Sequence, residues 1–148
     1  MNDLGIYIHV PFCGKKCGYC DFYSLKYSKN SAESYLQAVL RNIDNYGDSA
    51  RSVDTIYFGG GTPSLLFPEQ LSLIIERIRE KFIVSDECEI TLEANPSGLS
   101  PERLRKLRET GINRLSIGVQ SMLDSELELL GRSHNSDRAE RAVLDAAG

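Results

Sequence analysis

The chain has 148 residues, 41% of them hydrophobic and 26% charged, with a net charge of -4 at pH 7 and a pI near 5.2; that length holds one core, and that composition excludes a disordered chain. The acidic balance argues against non-specific binding to nucleic acid or an anionic membrane, which wants a basic surface. No apolar run approaches the ~18 residues of a membrane span, and Met1-Asn-Asp-Leu4 lacks the basic region and apolar run of a signal peptide, so the expected compartment is cytoplasmic. Four cysteines in a reducing compartment point to metal or redox chemistry before disulfides.

Strand-like and helix-like segments then alternate. Residues 5–10, Gly5-Ile-Tyr-Ile-His-Val10, read as a first strand. Cys13-Gly-Lys-Lys-Cys17-Gly-Tyr-Cys20 follows, a compact trio of cysteines, with Gly14 and Gly18 expected to keep the loop pliable. A helix is expected over 31–46, where Tyr35, Leu36, Val39, Leu40 and Ile43 keep the spacing of one buried face. Asn30 or Ser31 is its expected cap and Gly47 its stop. The second strand, 55–58, breaks at Gly59-Gly60-Gly61, and Pro68 opens a helix to about Phe82 with Leu71, Ile74, Ile75, Ile78 and Phe82 inward. The third strand is 89–94, closed by Asn95-Pro96. Ser100-Pro101 caps and starts a helix with Leu104 and Leu107 inward, stopped by Gly111. The fourth strand is 114–120, a short helix at 125–130 ends at Gly131, and a last helix from about Ser136 carries Ala139, Ala142, Val143 and Ala146.

Four βα units and an extra helix imply an α/β fold with a parallel sheet and right-handed crossovers, a partial TIM-type barrel. Four strands cannot close a barrel, and the final helix should lead into a fifth strand. The expectation is that residues 1–148 are the N-terminal portion of a larger core domain.

Cys13, Cys17 and Cys20 suit a [4Fe–4S] cluster held by three thiolates, which leaves one iron free for a small molecule. The plainer alternative is a zinc site completed by His9 or Cys88, although zinc sites usually pair cysteines in two separate groups. The glycine triplet before Thr62-Pro63 lets backbone approach a ligand, or is simply a sharp turn; it lacks the Lys-Ser/Thr of a phosphate loop. Alternation puts Glu89, Thr91 and Glu93 on one strand face and Ile90, Leu92 and Ala94 on the other. Glu93 is then either a solvent-facing residue or a carboxylate at the barrel mouth that accepts bonds from an amine or ribose. Gln120 can both donate and accept, which suits a ribose diol, or is an ordinary residue at the start of the next helix. Arg132 carries a fork that matches a carboxylate in two parallel bonds, or is a solvated surface arginine. Cysteine loop, glycine triplet, Glu93 and Gln120 all fall at the C-terminal ends of successive strands, the face where such barrels build their sites. His9 reads as a buried mid-strand histidine, Cys88 as inert and His134 as a loop or cap residue.

The stretch from Tyr7 to Tyr23, with its Cys-x3-Cys-x2-Cys trio, resembles the radical S-adenosylmethionine (SAM) family. Within it, the chain is similar over its whole length to the branch that contains oxygen-independent coproporphyrinogen III oxidase and the haem chaperones of the HemW type. The resemblance implies that the three cysteines hold the cluster and that SAM binds its open iron. It implies that Tyr7, Tyr19, Gly60, Gly61, Thr62, Glu93 and Gln120 contact SAM, and that Arg132 takes the SAM carboxylate. The family's shared chemistry is reductive cleavage of SAM to a 5′-deoxyadenosyl radical.

Two jobs follow from the branch. One is oxidative decarboxylation of coproporphyrinogen III to protoporphyrinogen IX. The other is a chaperone that binds haem and delivers it to apo-proteins, with an electron donor as a further partner. The decarboxylase continues its trio as Cys-x-Cys; here Cys20 is followed by Asp21 and Phe22, which favours the chaperone. A third reading is a fragment with no function of its own. Haem is implied as a ligand of the full-length protein, and neither nucleic acid nor a transmembrane segment is expected.

Overall fold

The computed structural model describes residues 4–46 and 49–148, of residues 49–51 the backbone alone. In chain order the strands are β1 (Leu4–Val10), β2 (Phe12–Cys13), β3 (Leu25–Lys26), β4 (Ser49–Gly60), β5 (Phe82–Ala94) and β6 (Arg114–Ile117). The helices are α1 (Lys29–Asn45), α2 (Pro68–Lys81), α3 (Pro101–Glu109), α4 (Asp124–Leu129) and α5 (Ser136–Ala147), with single 3-10 turns at Pro63–Leu65 and Pro96–Gly98. No helix among the described residues is long and apolar enough to cross a membrane.

The main sheet runs β1-β4-β5-β6, parallel throughout. Each strand adds beside the one before it, so the sheet grows in one direction, as a barrel does. A doubly wound sheet would reverse its order at a switch point. The expected α/β fold with the geometry of a partial barrel is therefore what the chain forms.

Among the described residues, the helices pack on one face of this sheet. Ile8, Val10, Ile56, Phe58, Ile90, Leu92 and Ala94 are buried in one core with Leu36, Ile43, Leu71, Ile74, Ile75, Ile78 and Leu107 from the helices. Each of these side chains larger than that of Ala94 contributes ~1.5–3 kcal/mol by burial, and truncation of fully buried Phe58 to Ala should cost about 3–5 kcal/mol. The strands therefore alternate instead of reading as the continuous apolar runs of a sheet buried on both sides. Register aligns the open face in rows, Tyr7 beside Tyr57 and Thr91 beside Arg114, then Glu93 beside Ser116.

Several boundaries differ from the sequence expectation. Helix α1 starts earlier, with Ser28 as its cap: Ser28 Oγ accepts from Ser31 N at 3.1 Å and Ser31 Oγ accepts from Ser28 N at 3.2 Å. The capping box was hidden because its third helical residue is Ser and not Glu or Gln. The expected Gly47 stop lies outside the described residues. Phe82 is extended (φ -131°, ψ 154°) and begins β5 instead of ending α2, while its ring still packs on the core. Strand β6 ends at Ile117, short of residue 120: Gly118 N makes the last bond to the neighbouring strand, at Ala94 O (2.9 Å), then Val119 N turns back to Ile117 O (2.9 Å) and Gln120 adopts φ 72°. On α5, Ala139 and Ala142 are buried but Val143 and Ala146 are exposed, facing a groove of about 790 Å³ beside β6 and α3.

The cysteine loop is tied at its base. Strands β2 and β3 pair in parallel, Phe12 with Leu25 and Cys13 with Lys26. Leu25 N donates to Pro11 O (2.7 Å) and Tyr27 N to Cys13 O (3.3 Å). Phe12 is fully buried, with Tyr27 and Tyr35 edge-on at ring distances of 5.9 and 5.4 Å. Burial pushes the Tyr35 phenol well above its ordinary range, and its hydroxyl donates to His9 O at 2.8 Å. Gly14 and Gly18 play no special part in this closure, since a Cβ at either would meet nothing within 4 Å and neither has a positive φ.

Candidate functional site

Because the sheet is parallel, the segments leaving β1, β4, β5 and β6 emerge at one edge. They surround a cavity of about 350 Å³, within the size range of small-ligand sites. Cys13, Cys17, Cys20, Tyr19, Gly60, Gly61, Thr62, Glu93, Gln120 and Arg132 all line it. Of the residues expected to hold the cluster or SAM, Tyr7 alone does not; it lies on the sheet face below, stacked on Tyr57 at 6.0 Å. Larger hollows of about 630 and 790 Å³ flank the two edge strands and carry none of the cysteines.

The three thiols are free and partly exposed. Among the described residues no three His, Cys, Asp or Glu side chains converge on a point where one metal ion would sit. A zinc ion needs its sulfurs ~2.3 Å from one centre, whereas a cubane spreads its thiolates over separate irons. Cys88, the distant candidate for a fourth zinc ligand, is buried five residues before Glu93 on β5, ~16 Å away at strand rise, and burial pushes its thiol up. His9 is on the open face next to the end of β1, not buried as expected; it is hydrogen-bonded to the Tyr7 hydroxyl through Nδ1 at 3.2 Å.

The glycine triplet is first a matter of space. A Cβ on Gly59 would stand 2.9 Å from the rings of both Tyr7 and Tyr57; one on Gly60 (φ 118°) would stand 2.8 Å from His9 Cε1 and Val10 O. One on Gly61 would stand 2.5 Å from Phe12 O and 3.0 Å from Cys13 Sγ. The amides here are already engaged: Gly60 N donates to Glu93 Oε2 (3.1 Å), Gly61 N to Val10 O (2.8 Å) and Thr62 N to Phe12 O (2.7 Å). What this turn can offer a ligand is therefore carbonyl oxygen, which accepts from an ammonium group.

Glu93 is held from two sides. Its Oε1 accepts from the Tyr57 hydroxyl at 2.8 Å and its Oε2 from Gly60 N at 3.1 Å. The carboxylate keeps further lone pairs for a ligand. That bond to Glu93, with smaller contributions from desolvation and the charge, pushes the Tyr57 phenol up.

Arg132 joins three segments. Its Nη1 donates to Cys17 Sγ (3.4 Å) and the Tyr19 hydroxyl (3.2 Å), and its Nη2 to Asn95 Oδ1 (2.9 Å) and Gly118 O (2.8 Å). Both terminal nitrogens are thus occupied, and the buried Nε has no partner. The fork expected to clamp a carboxylate with two bonds has one donor to spare. Gln120 lies three residues past β6; among the described residues it is the non-glycine residue with a left-handed backbone (φ 72°). Such conformations are held by their surroundings and cluster at ligand sites.

Sequence reasoning missed Tyr57, Asn95, Ser116 and Gly118. Period-two counting back from Gln120 marks Gly118 and Ser116, and Asn95 follows Glu93 at the same strand end, so those signals were present. His134 is buried, with Nε2 3.0 Å from Val119 O and Nδ1 unpartnered, so it pins the loop that carries Gln120.

Comparison with known proteins gives a consistent result. The model of the "Radical SAM superfamily" matches residues 7–147. The "Heme chaperone HemW" of Escherichia coli (strain K12) is 40% identical over 153 residues, an alignment covering 100% of this chain and 40% of that protein. "Radical S-adenosyl methionine domain-containing protein 1, mitochondrial" of Mus musculus is 38% identical over 146 residues, covering 95% of this chain and 32% of that one. Among solved structures, coproporphyrinogen III oxidase (HemN) from Escherichia coli, described as a radical SAM enzyme, superposes with a TM-score of 0.88 at 30% identity, covering 98% of this chain and 34% of that one. The chain thus spans about two fifths or less of the length of these proteins.

Proposed function

The chain belongs to the radical SAM superfamily, and from that premise we propose that its cavity binds a [4Fe–4S] cluster and SAM in the service of haem metabolism. The observation that carries this reading is the meeting of three thiols, a tethered carboxylate and a guanidinium around one cavity at the C-terminal edge of the sheet. The residues fit the groups. Three partly exposed thiols on one short loop, all lining one cavity, suit a cubane. The partnerless Nε of Arg132 is a buried donor awaiting an acceptor. The close packing at Gly61, which leaves no room for a Cβ, brings backbone against Cys13.

In this reading Cys13, Cys17 and Cys20 hold the cluster. Glu93 and the carbonyl oxygens of the glycine turn accept from the SAM ammonium, Gln120 meets the ribose, and Arg132 gives its Nε–H to one carboxylate oxygen. Thr62 and Tyr19 complete the wall, and Tyr7 acts from the face below by packing on Tyr57 across Gly59. The cluster, when bound, supplies the electron that cleaves SAM reductively. The chain's own share is to orient SAM and keep water from it.

For the biological role we favour a haem chaperone that hands haem to apo-proteins in the cytosol, with an external electron donor. Similarity to the HemW proteins supports it. So does Phe22, which lines the cavity where the decarboxylase carries a further cysteine. The second reading, coproporphyrinogen III oxidation, is supported by the likeness to HemN. The deciding experiment gives the full protein haem, or coproporphyrinogen III with SAM and a reductant, under anaerobic conditions. Stoichiometric haem binding without porphyrinogen turnover is expected; turnover to protoporphyrinogen IX would replace the chaperone with the enzyme.

A further inference from the structure

Arg132 is fixed more firmly than a ligand contact requires. Its Nη2 is anchored by Asn95 Oδ1 beyond β5 and by Gly118 O beyond β6, at 2.9 and 2.8 Å. A planar guanidinium held at one prong has little freedom at the other. That other prong, Nη1, stands 3.4 Å from Cys17 Sγ and 3.2 Å from the Tyr19 hydroxyl. Cys13 Sγ has a much weaker contact, the neutral Thr62 hydroxyl at 3.9 Å. Cys17 is thus the one of this pair that faces a fixed positive charge.

We propose that Arg132 is a positioning residue that raises the reduction potential of the bound cluster through Cys17, a role that rests on the cluster reading above. Reduction adds one electron to the cluster, and its thiolate sulfurs share the added negative charge. An N–H donor bearing a full positive charge and aimed at one of those sulfurs stabilises the reduced form more than the oxidised one. Hydrogen bonds to ligand sulfurs are among the factors that set such potentials. The guanidinium is partly withdrawn from water, with Nε buried, so solvent and salt do not screen it as they would a surface arginine.

The test compares the anaerobically reconstituted wild-type protein with Arg132→Gln, Arg132→Lys and Asn95→Ala. Iron and sulfide are counted first. The cluster is then titrated with dithionite, without SAM, and followed by electron paramagnetic resonance. Arg132→Gln should keep its cluster and show a midpoint lower by about 59 mV or more, a tenfold change in a one-electron reduction constant. Arg132→Lys, which keeps the charge without the fork, should fall between the two. Asn95→Ala, which removes one of the two acceptors that anchor Nη2, should move the potential the same way by less. An unchanged potential in cluster-loaded Arg132→Gln overturns the proposal. So does loss of iron from Arg132→Gln combined with a wild-type potential in Asn95→Ala, since Arg132 would then only hold the loop closed. A wild-type protein that takes up no cluster defeats the cluster reading itself, and the iron count separates that failure from the other two.

Discussion

Replacing Gly61 by Ala probes the contact between the end of β4 and the base of the cysteine loop. An added Cβ would lie 2.5 Å from Phe12 O and 3.0 Å from Cys13 Sγ. The first of these is backbone, and it cannot swing aside, because Phe12 O accepts Thr62 N at 2.7 Å and Phe12 belongs to the short strand pair that closes the loop. Relief to an ordinary van der Waals distance therefore requires moving Cys13 relative to the rest of the trio. Gly61 has no positive φ, so the cost is one of space alone, of the order of overpacking a filled core, about 1–3 kcal/mol. Gly18→Ala is the internal control, since its Cβ would meet nothing within 4 Å. Urea denaturation of the two variants should show destabilisation in Gly61→Ala and wild-type behaviour in Gly18→Ala. Iron retained after anaerobic reconstitution should fall in the first and hold in the second. A Gly61→Ala protein with wild-type stability and iron content would refute the view that this glycine sets the position of Cys13.

Two further perturbations address other parts of the site. Tyr57→Phe removes the donor to Glu93 Oε1 and should weaken SAM binding about tenfold, the size of one hydrogen bond to a charged group, with iron content unchanged; equal SAM affinity in calorimetry would show that Gly60 N alone holds the carboxylate. Burial holds His134 below its ordinary value of 6.5 in the fold, with an opposing contribution from its bond to Val119 O. Its neutral form is therefore the one that fits. The unfolded chain takes up the proton first, so the stabilising contribution is complete above about pH 6.5 and declines as pH falls through the folded value. Urea midpoints measured from pH 8 to pH 5 should drop at the acid end, and His134→Gln should flatten that drop; an undiminished slope in the variant would assign it to other groups.

Much of this site is legible in the sequence, for a physical reason. In a parallel sheet every strand delivers its C-terminal end to the same edge, so the cysteine loop, the glycine triplet, Glu93 and Gln120 had to converge once the βα order was recognised. Alternation likewise put Glu89, Thr91 and Glu93 on one strand face, and the structure has them opposite the helix-packed side, with Thr91 buried among its neighbours there. What the sequence concealed are contacts between segments far apart in the chain. The binding of Tyr57 to Glu93 depends on the β4–β5 register, and the engagement of Arg132 by Asn95, Gly118, Tyr19 and Cys17 depends on four separate segments meeting. The same limit explains the glycines. The pliable pair in the cysteine loop turned out to be unconstrained, while the triplet is required by packing against Tyr7, His9 and Phe12, which no local pattern reports. Strand lengths were underestimated for β4 and β5 because Asp54, Asp86 and Glu87 interrupt the apolar pattern; they lie where the β4–β5 register shifts, and pairing runs on either side of that irregularity.

The central claim is that Cys13, Cys17 and Cys20 together hold one iron–sulfur cluster. Metal and sulfide analysis after anaerobic reconstitution tests it most directly. About four irons and four sulfides per chain are expected, the content of a [4Fe–4S] cluster. The cluster should be lost when any one of the three is changed to Ala and retained in Cys88→Ala. One tightly bound zinc per chain in place of iron, or a cluster that survives Cys17→Ala, would contradict it.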